Sequence, residues 1–95
     1  SIGLSFEEKA FFDILKSVAV KYDFIENFSN EKLTELAKQI KTMVEEQSDV
    51  SDWLNRPDLR ATLKMNVIVL LARAGYPPKI RDEVFKEILE QAESF

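Results

Sequence analysis

Apolar side chains recur three and four residues apart along most of this chain, and polar stretches interrupt the recurrence in three places. The first periodic segment runs through Phe6, Ala10, Phe11, Ile14, Leu15, Val18, Ala19 and Tyr22. That spacing predicts a helix with a stripe wide enough to pack on two neighbours. Ser5-Phe6-Glu7-Glu8 in front of it fits a capping box, in which the Ser5 and Glu8 side chains each satisfy the other residue's free backbone N–H. The pattern fades between Tyr22 and Ile25. Asn27 to Asn30 read as a connection, with Phe24, Ile25 and Phe28 folded back onto the core. A second helix is predicted from Glu31 to Glu46, capped by Ser29 or Asn30. Its inner face is Leu33, Leu36, Ala37, Ile40, Met43 and Val44; Lys32, Glu35, Lys38, Gln39, Lys41, Thr42, Glu45 and Glu46 point outward. Gln47 to Asp52 is polar and reads as a mobile loop.

Trp53-Leu54 breaks that polar stretch, and Pro57 suits the first turn of a third helix, where a missing N–H costs nothing. Leu59, Leu63 and the run Val67 to Ala72 continue it. The run is apolar nearly all round, which predicts a central, buried third helix. Its length and its end signals favour a helix over a strand despite β-branched Val67, Ile68 and Val69. Gly75 suits the left-handed position after the helix, and Pro77-Pro78 forbids continuation. A fourth helix follows, opened by Pro78. Ile80, Val84, Phe85, Ile88, Leu89 and Ala92 face inward, and Asp82 and Glu83 are expected in its first turn. The expectation is an all-α fold: a compact four-helix domain with short loops, occupying residues 1–95 as a single unit.

Composition narrows the chemistry. The 95 residues hold no Cys and no His, which removes disulfides, thiolate metal sites and the commonest general base. The only glycines, Gly3 and Gly75, cannot build a phosphate-binding loop. Glu7-Glu8-Lys9 contains the Glu-x-Lys half of a metal-dependent nuclease signature, but that signature needs a strand and an upstream Asp, and here the residues open a helix. Catalytic, cofactor and metal sites are therefore expected to be absent. No stretch is long and apolar enough to span a bilayer. Ser1-Ile2-Gly3 lacks the features of a signal peptide, which makes a cytoplasmic location the expectation. It also lacks an initiator Met, which points to a fragment of a longer protein.

Charge is unevenly distributed. The formal net charge is −4, yet residues 53–81 carry six basic residues against one acid, Asp58. Within that segment Arg56, Arg60 and Lys64 fall at i, i+4 and i+8, on one stripe of the third helix. Two outcomes are open for them: contact with an acidic protein surface or with phosphates, or pairing with local acids such as Asp52 and those of the fourth helix. Trp53 and Tyr76 pose a similar choice between covering the end of the core and anchoring an interface. Phe11, Phe12, Phe24, Phe28 and Phe85 are expected in the core.

Three motifs stand in order along the chain: Leu4-Ser5-Phe6-Glu7-Glu8-Lys9-Ala10-Phe11-Phe12-Asp13-Ile14-Leu15, then Asp52-Trp53-Leu54-Asn55-Arg56-Pro57-Asp58-Leu59-Arg60-Ala61-Thr62-Leu63, then Gly75-Tyr76-Pro77-Pro78 with Leu89-Glu90-Gln91-Ala92-Glu93 after it. This ordered set resembles the C-terminal helical region of the restriction (R) subunit of type I restriction–modification enzymes, over nearly the whole chain. The resemblance implies a large ATP-dependent parent that translocates and cleaves DNA, using ATP and Mg. It implies partners in the M and S subunits of the methyltransferase core and in the motor domains of the same polypeptide, with DNA met through the parent complex. The segment itself would be a non-catalytic docking domain, with Trp53, Arg56, Arg60, Lys64 and Tyr76 as candidate contact residues. The alternative is a helical module that touches DNA directly through residues 53–81.

Overall fold

Two helices of this protein end in the same hydrogen-bonded turn, and those turns bring together the aromatic residues around which the core is built. The computed structural model describes residues 4–93; Ser1-Ile2-Gly3, read above for a leader peptide, lies outside the described residues. The element order is α1 (Phe6–Lys21), a 3-10 turn (Ile25–Asn27), α2 (Asn30–Ser48), a second 3-10 turn (Trp53–Asn55), α3 (Pro57–Ala74) and α4 (Pro78–Ala92). No strand occurs among the described residues, and the all-α expectation holds.

The capping box forms as expected: Glu8 N–H donates to Ser5 Oγ (3.2 Å), and Ser5 N–H donates to Glu8 Oε1 (2.9 Å). At the other end of α1, Phe24 N–H donates to the Ala19 carbonyl at 2.9 Å and Asp23 N–H to that of Val20 at 3.2 Å. These two bonds define a Schellman turn. Asp23 takes the left-handed conformation it requires (φ 61°). Such a position is tolerable for Asp, though most side chains resist it. Helix α3 ends identically. Tyr76 N–H donates to the Leu71 carbonyl (2.9 Å), Gly75 N–H to that of Ala72 (3.1 Å), and Gly75 sits at φ 101°. In both turns the residue that closes the longer bond is aromatic and is directed into the core.

There Phe24 and Tyr76 meet edge to face, with ring centroids 5.1 Å apart at 85°, and Phe28 packs on both at 5.7 and 4.8 Å. The Tyr76 ring is fully buried. Its hydroxyl donates to the Leu15 carbonyl of α1 at 2.9 Å, so the burial leaves no polar atom unsatisfied. Arg81 Nε donates to the Tyr76 carbonyl (2.8 Å) and ties the same turn to α4.

Helix α1 packs against α2 and α4, and α3 packs against the same two. The extents of 39 × 31 × 19 Å make the thinnest dimension about two helix diameters, so the fold is two layers of helix pairs. This geometry corrects the expectation of a central third helix. Only Leu63, Val67 and Leu71 of α3 are buried, whereas α1 buries Phe11, Phe12, Leu15, Val18 and Ala19. Three other helices in two layers cannot enclose a fourth, and the apolar run of α3 therefore reaches the surface, with Met65 67% and Val69 43% exposed.

Smaller differences also have geometric causes. Phe6 was assigned to the inner stripe of α1 but is 83% exposed; five residues before Phe11, it is rotated about 140° from it around the helix. Tyr22 lies beyond the last turn of α1 and is exposed. Helix α2 continues to Ser48, so the loop predicted over 47–52 shrinks to four residues. Pro78 opens α4 one turn before Asp82 and Glu83, which removes both acids from the free N–H groups of the first turn and leaves them to pair with other helices.

Replacing Tyr76 with Phe deletes one buried hydrogen bond and is expected to cost about 1 kcal/mol in urea unfolding near neutral pH. The pH dependence has a definite sign. Burial pushes the Tyr76 phenol far above its ordinary value, so the fold holds the neutral form. Its contribution is complete below the unfolded-state pKa of about 10 and is lost as pH rises above that value. Wild type should therefore lose more stability than Tyr76→Phe between pH 9 and 11. Parallel losses in the two proteins would contradict the placement of this hydroxyl.

Candidate docking face

The residues singled out by sequence do not form one surface. Tyr76 is wholly internal, and Trp53 is 7% exposed. The turn carrying Trp53 is braced by Asn55 Nδ2 donating to Asp52 Oδ1 at 2.6 Å, with Asp52 left-handed at φ 60°. The Trp53 ring belongs to the core cluster, as expected of a residue covering the end of the core. Its indole N–H is not fully enclosed, and the expected bond to a carbonyl is not formed among the described residues.

The basic stripe is largely spoken for. Arg56 lies just before α3 and donates to Asp58 Oδ2 at 3.1 Å. Its guanidinium holds the Asp58 carboxyl below the usual carboxylate range. Lys64 lies 3.5 Å from Asp82 of α4. Both pairs are well exposed, where ion pairs contribute little, and in this structure these two cations pair locally. Asp52, the local partner considered from the sequence, is engaged by Asn55 instead. Arg60 is exposed and makes no ion pair among the described residues.

What the sequence reading missed is the outward side of α3. Ala61, Met65, Ile68 and Ala72 recur at i, i+4, i+7 and i+11, and all are exposed except Ile68, which is half-buried. This is an apolar stripe on the outer side of α3, with Arg60 and Lys64 at one border; at the other, Met65 lines a cleft together with Gln39 and Met43 of α2. The signal was present in the chain. A run of six apolar residues, Val67 to Ala72, turns through about 500° at 100° per residue and cannot be buried on one face.

Two clefts flank the molecule, and they differ in kind. The cleft between α1 and α4, about 430 Å³, is lined by Lys21, Glu83, Lys86, Glu87 and Glu90, among others. Its three acids exceed its two lysines, and one of the acids is paired within the domain. Glu83 accepts from Tyr22 OH at 2.6 Å and from Lys21 Nζ at 3.0 Å. The Tyr22 hydroxyl, then the Lys21 ammonium, hold the Glu83 carboxyl below its ordinary value. Partial burial, with the Glu83 charge beside it, raises that of Glu87. The cleft between α2 and α3 has an apolar floor that includes Met43 and Leu70, and polar groups only at its rim.

Among the described residues, no group of three or more Asp, Glu, His or Cys side chains is placed to hold a metal ion. No described helix is long and apolar enough to cross a membrane. Among the described residues the surface includes an apolar stripe, a largely apolar cleft and a charged cleft in which Glu83 is paired.

Against known proteins, all 95 residues match the family model described as "Type I restriction enzyme HindI endonuclease subunit-like, C-terminal". The chain is 32% identical over 92 residues to the type I restriction enzyme HindI endonuclease subunit of Haemophilus influenzae. The match takes in 97% of this chain but 8% of that relative. No solved structure matches the chain.

The outward stripe is expected to be indifferent to folding. Met65→Glu should change unfolding free energy by less than about 0.5 kcal/mol, while Leu63→Ala, two residues away on the buried face, should cost about 2–5 kcal/mol. Comparable losses in the two variants, measured by denaturant titration, would mean that α3 is rotated from the position described.

Proposed function

The chain belongs to the family of type I restriction enzyme HindI endonuclease subunit-like C-terminal regions, and from that premise we propose that it serves such a subunit as a non-catalytic assembly domain. The single observation that carries this reading is the outward stripe of α3. An apolar face at helical spacing, left uncovered by the fold's own helices, marks a contact surface. The rest of the domain gives it rigidity: the three-ring cluster holds α1, α3 and α4 in fixed relation, so a partner meets a preformed shape and little ordering is needed on binding.

The partners we assign are the M and S subunits of the methyltransferase core, with the motor domains of the same polypeptide bracing the domain from behind. Ala61, Met65 and Ala72 would supply the apolar centre, worth roughly 25 cal/mol for each Å² covered. Arg60 at its border would speed encounter with an acidic partner and contribute little to final affinity. The parent activity, ATP-dependent translocation and cleavage of DNA, would reside in other parts of the subunit, along with its ATP and Mg. Direct DNA contact through residues 53–81 is the weaker reading, because Arg56 and Lys64 already face acids of the same chain.

The test uses the full endonuclease subunit carrying Ala61→Glu with Ala72→Glu, both exposed on the stripe and outside the neighbouring cleft, mixed with the M–S core and separated by size. The expected result is a folded subunit whose recovery in the complex falls about tenfold or more, as for loss of a contact worth at least 1.4 kcal/mol. Unchanged recovery would reject this face. Weakened binding to bare duplex DNA, with the steep salt dependence of phosphate contacts, would favour the DNA reading.

A further inference from the structure

The cleft between α2 and α3 adjoins the outward stripe, with Met65 at their shared edge, but its other wall is α2 and it calls for a different occupant. It consists of two depressions, of about 320 and 340 Å³, that share Gln39, Leu70 and Arg73 and so form one continuous groove. On α2 the groove extends from Lys32 to Met43, eleven residues or about 16 Å, three helical turns. Its floor is Leu36, Met43 and Leu70. Two helices lying side by side create a valley that accepts a third helix through side chains at i, i+4 and i+7, the mode by which amphipathic helices dock in grooves.

Charge in the groove specifies more. Arg73 lines both depressions, is exposed and makes no ion pair among the described residues. Lys32 lines one of them; its ammonium lies 4.7 Å from the centre of the Phe28 ring and makes no ion pair among the described residues. Glu35 is the one acid among these lining residues. Two cations against one acid leave the groove net positive, which favours a carboxylate on the incoming helix, charge-assisted at Arg73.

We infer that the α2–α3 groove holds an amphipathic helix bearing an acidic residue opposite Arg73, contributed by a part of the same polypeptide outside these 95 residues. The inference rests on the assignment above to a longer endonuclease subunit. The chain spans 8% of its relative, so a subunit of that kind has more than nine-tenths of its length available to supply the helix. Size decides between a tethered and a free partner. Three turns of groove cover well under the ~800 Å² per partner of a standard stable interface. Such a site binds a free helix weakly, but a tethered one is present at an effective concentration in the millimolar range and fills it. For a dissociation constant near 0.2 mM, that tethering gives an occupancy of about 80%.

The test is thiol alkylation in the full-length subunit, followed peptide by peptide with mass spectrometry. Gln39→Cys places a thiol on the lip shared by both depressions. Lys38→Cys, the exposed neighbour outside the groove, is the internal standard. With the subunit alone, iodoacetamide should modify the position-39 thiol about fivefold more slowly than the position-38 thiol, as that occupancy implies. Adding Arg73→Glu should bring the two rates within about twofold.

Equal rates in the subunit alone overturn the inference. If the slowing appears only when the M–S core is added, the occupant is another subunit, and the assembly reading stands without this one. Slowing that grows with protein concentration means self-association and also overturns it. Slowing that Arg73→Glu does not relieve overturns the acidic character of the helix. The assembly reading fails on a different result, unchanged complex formation by the Ala61→Glu, Ala72→Glu subunit, whose substitutions lie outside the groove, so the two failures are distinguishable.

Discussion

A single buried phenol organises this fold. The Tyr76 hydroxyl bonds to a main-chain carbonyl in α1, its ring packs on Phe24 and Phe28 from the connection between α1 and α2, and its own carbonyl accepts from Arg81 in α4. Segments more than sixty residues apart in sequence are thereby fixed at one point. The arrangement depends on backbone geometry as much as on side chains. Without the left-handed residues Asp23 and Gly75, neither Schellman turn would close, and Phe24 and Tyr76 would not meet. Once they meet, the apolar faces of four helices have little freedom in how they pack.

Much of this was legible in the chain. Helix starts were written in local chemistry: the Ser5–Glu8 box, Ser29, and the prolines that open α3 and α4. Helix ends were legible where a glycine marked them and less so where Asp23 did the same work, because Asp accepts the left-handed conformation without advertising it. The five phenylalanines expected in the core are there. The misreadings came from counting apolar residues without asking how many neighbours were available to cover them. Phe6 satisfied a three–four spacing that drifts around the helix. The run Val67 to Ala72 suggested a central helix, although a two-layer packing of four helices has no centre to offer. The contact residues were legible only as candidates. Trp53 and Tyr76 carry the composition of interface anchors, yet burial and a tertiary partner that no local pattern encodes make them internal. The ion pair between Lys64 and Asp82 joins two helices, and its partners become neighbours only in the fold.

The misreading of α3 is also where function enters. The run Val67 to Ala72 is apolar all round but covered on one side, and on the reading proposed above the uncovered side would serve as an interface. Membership of the C-terminal family of HindI-like endonuclease subunits supplies a setting in which such a surface has a use. A small helical body with its own core can be carried by a large enzyme as a rigid adaptor. Its outward stripe would meet other subunits, while the shallower groove between α2 and α3 would be closed by the polypeptide to which it is tethered. The polar cleft between α1 and α4, with Glu83 already bonded to Tyr22 and Lys21, would remain in water.

The most direct test of the central claim is an experimentally determined structure of the assembled restriction enzyme containing this chain. The outward stripe of α3, with Ala61, Met65 and Ala72, should be buried against another subunit, with the helix otherwise packed as described. The same stripe open to solvent in a fully assembled, DNA-cleaving complex would contradict the assignment of this domain to assembly.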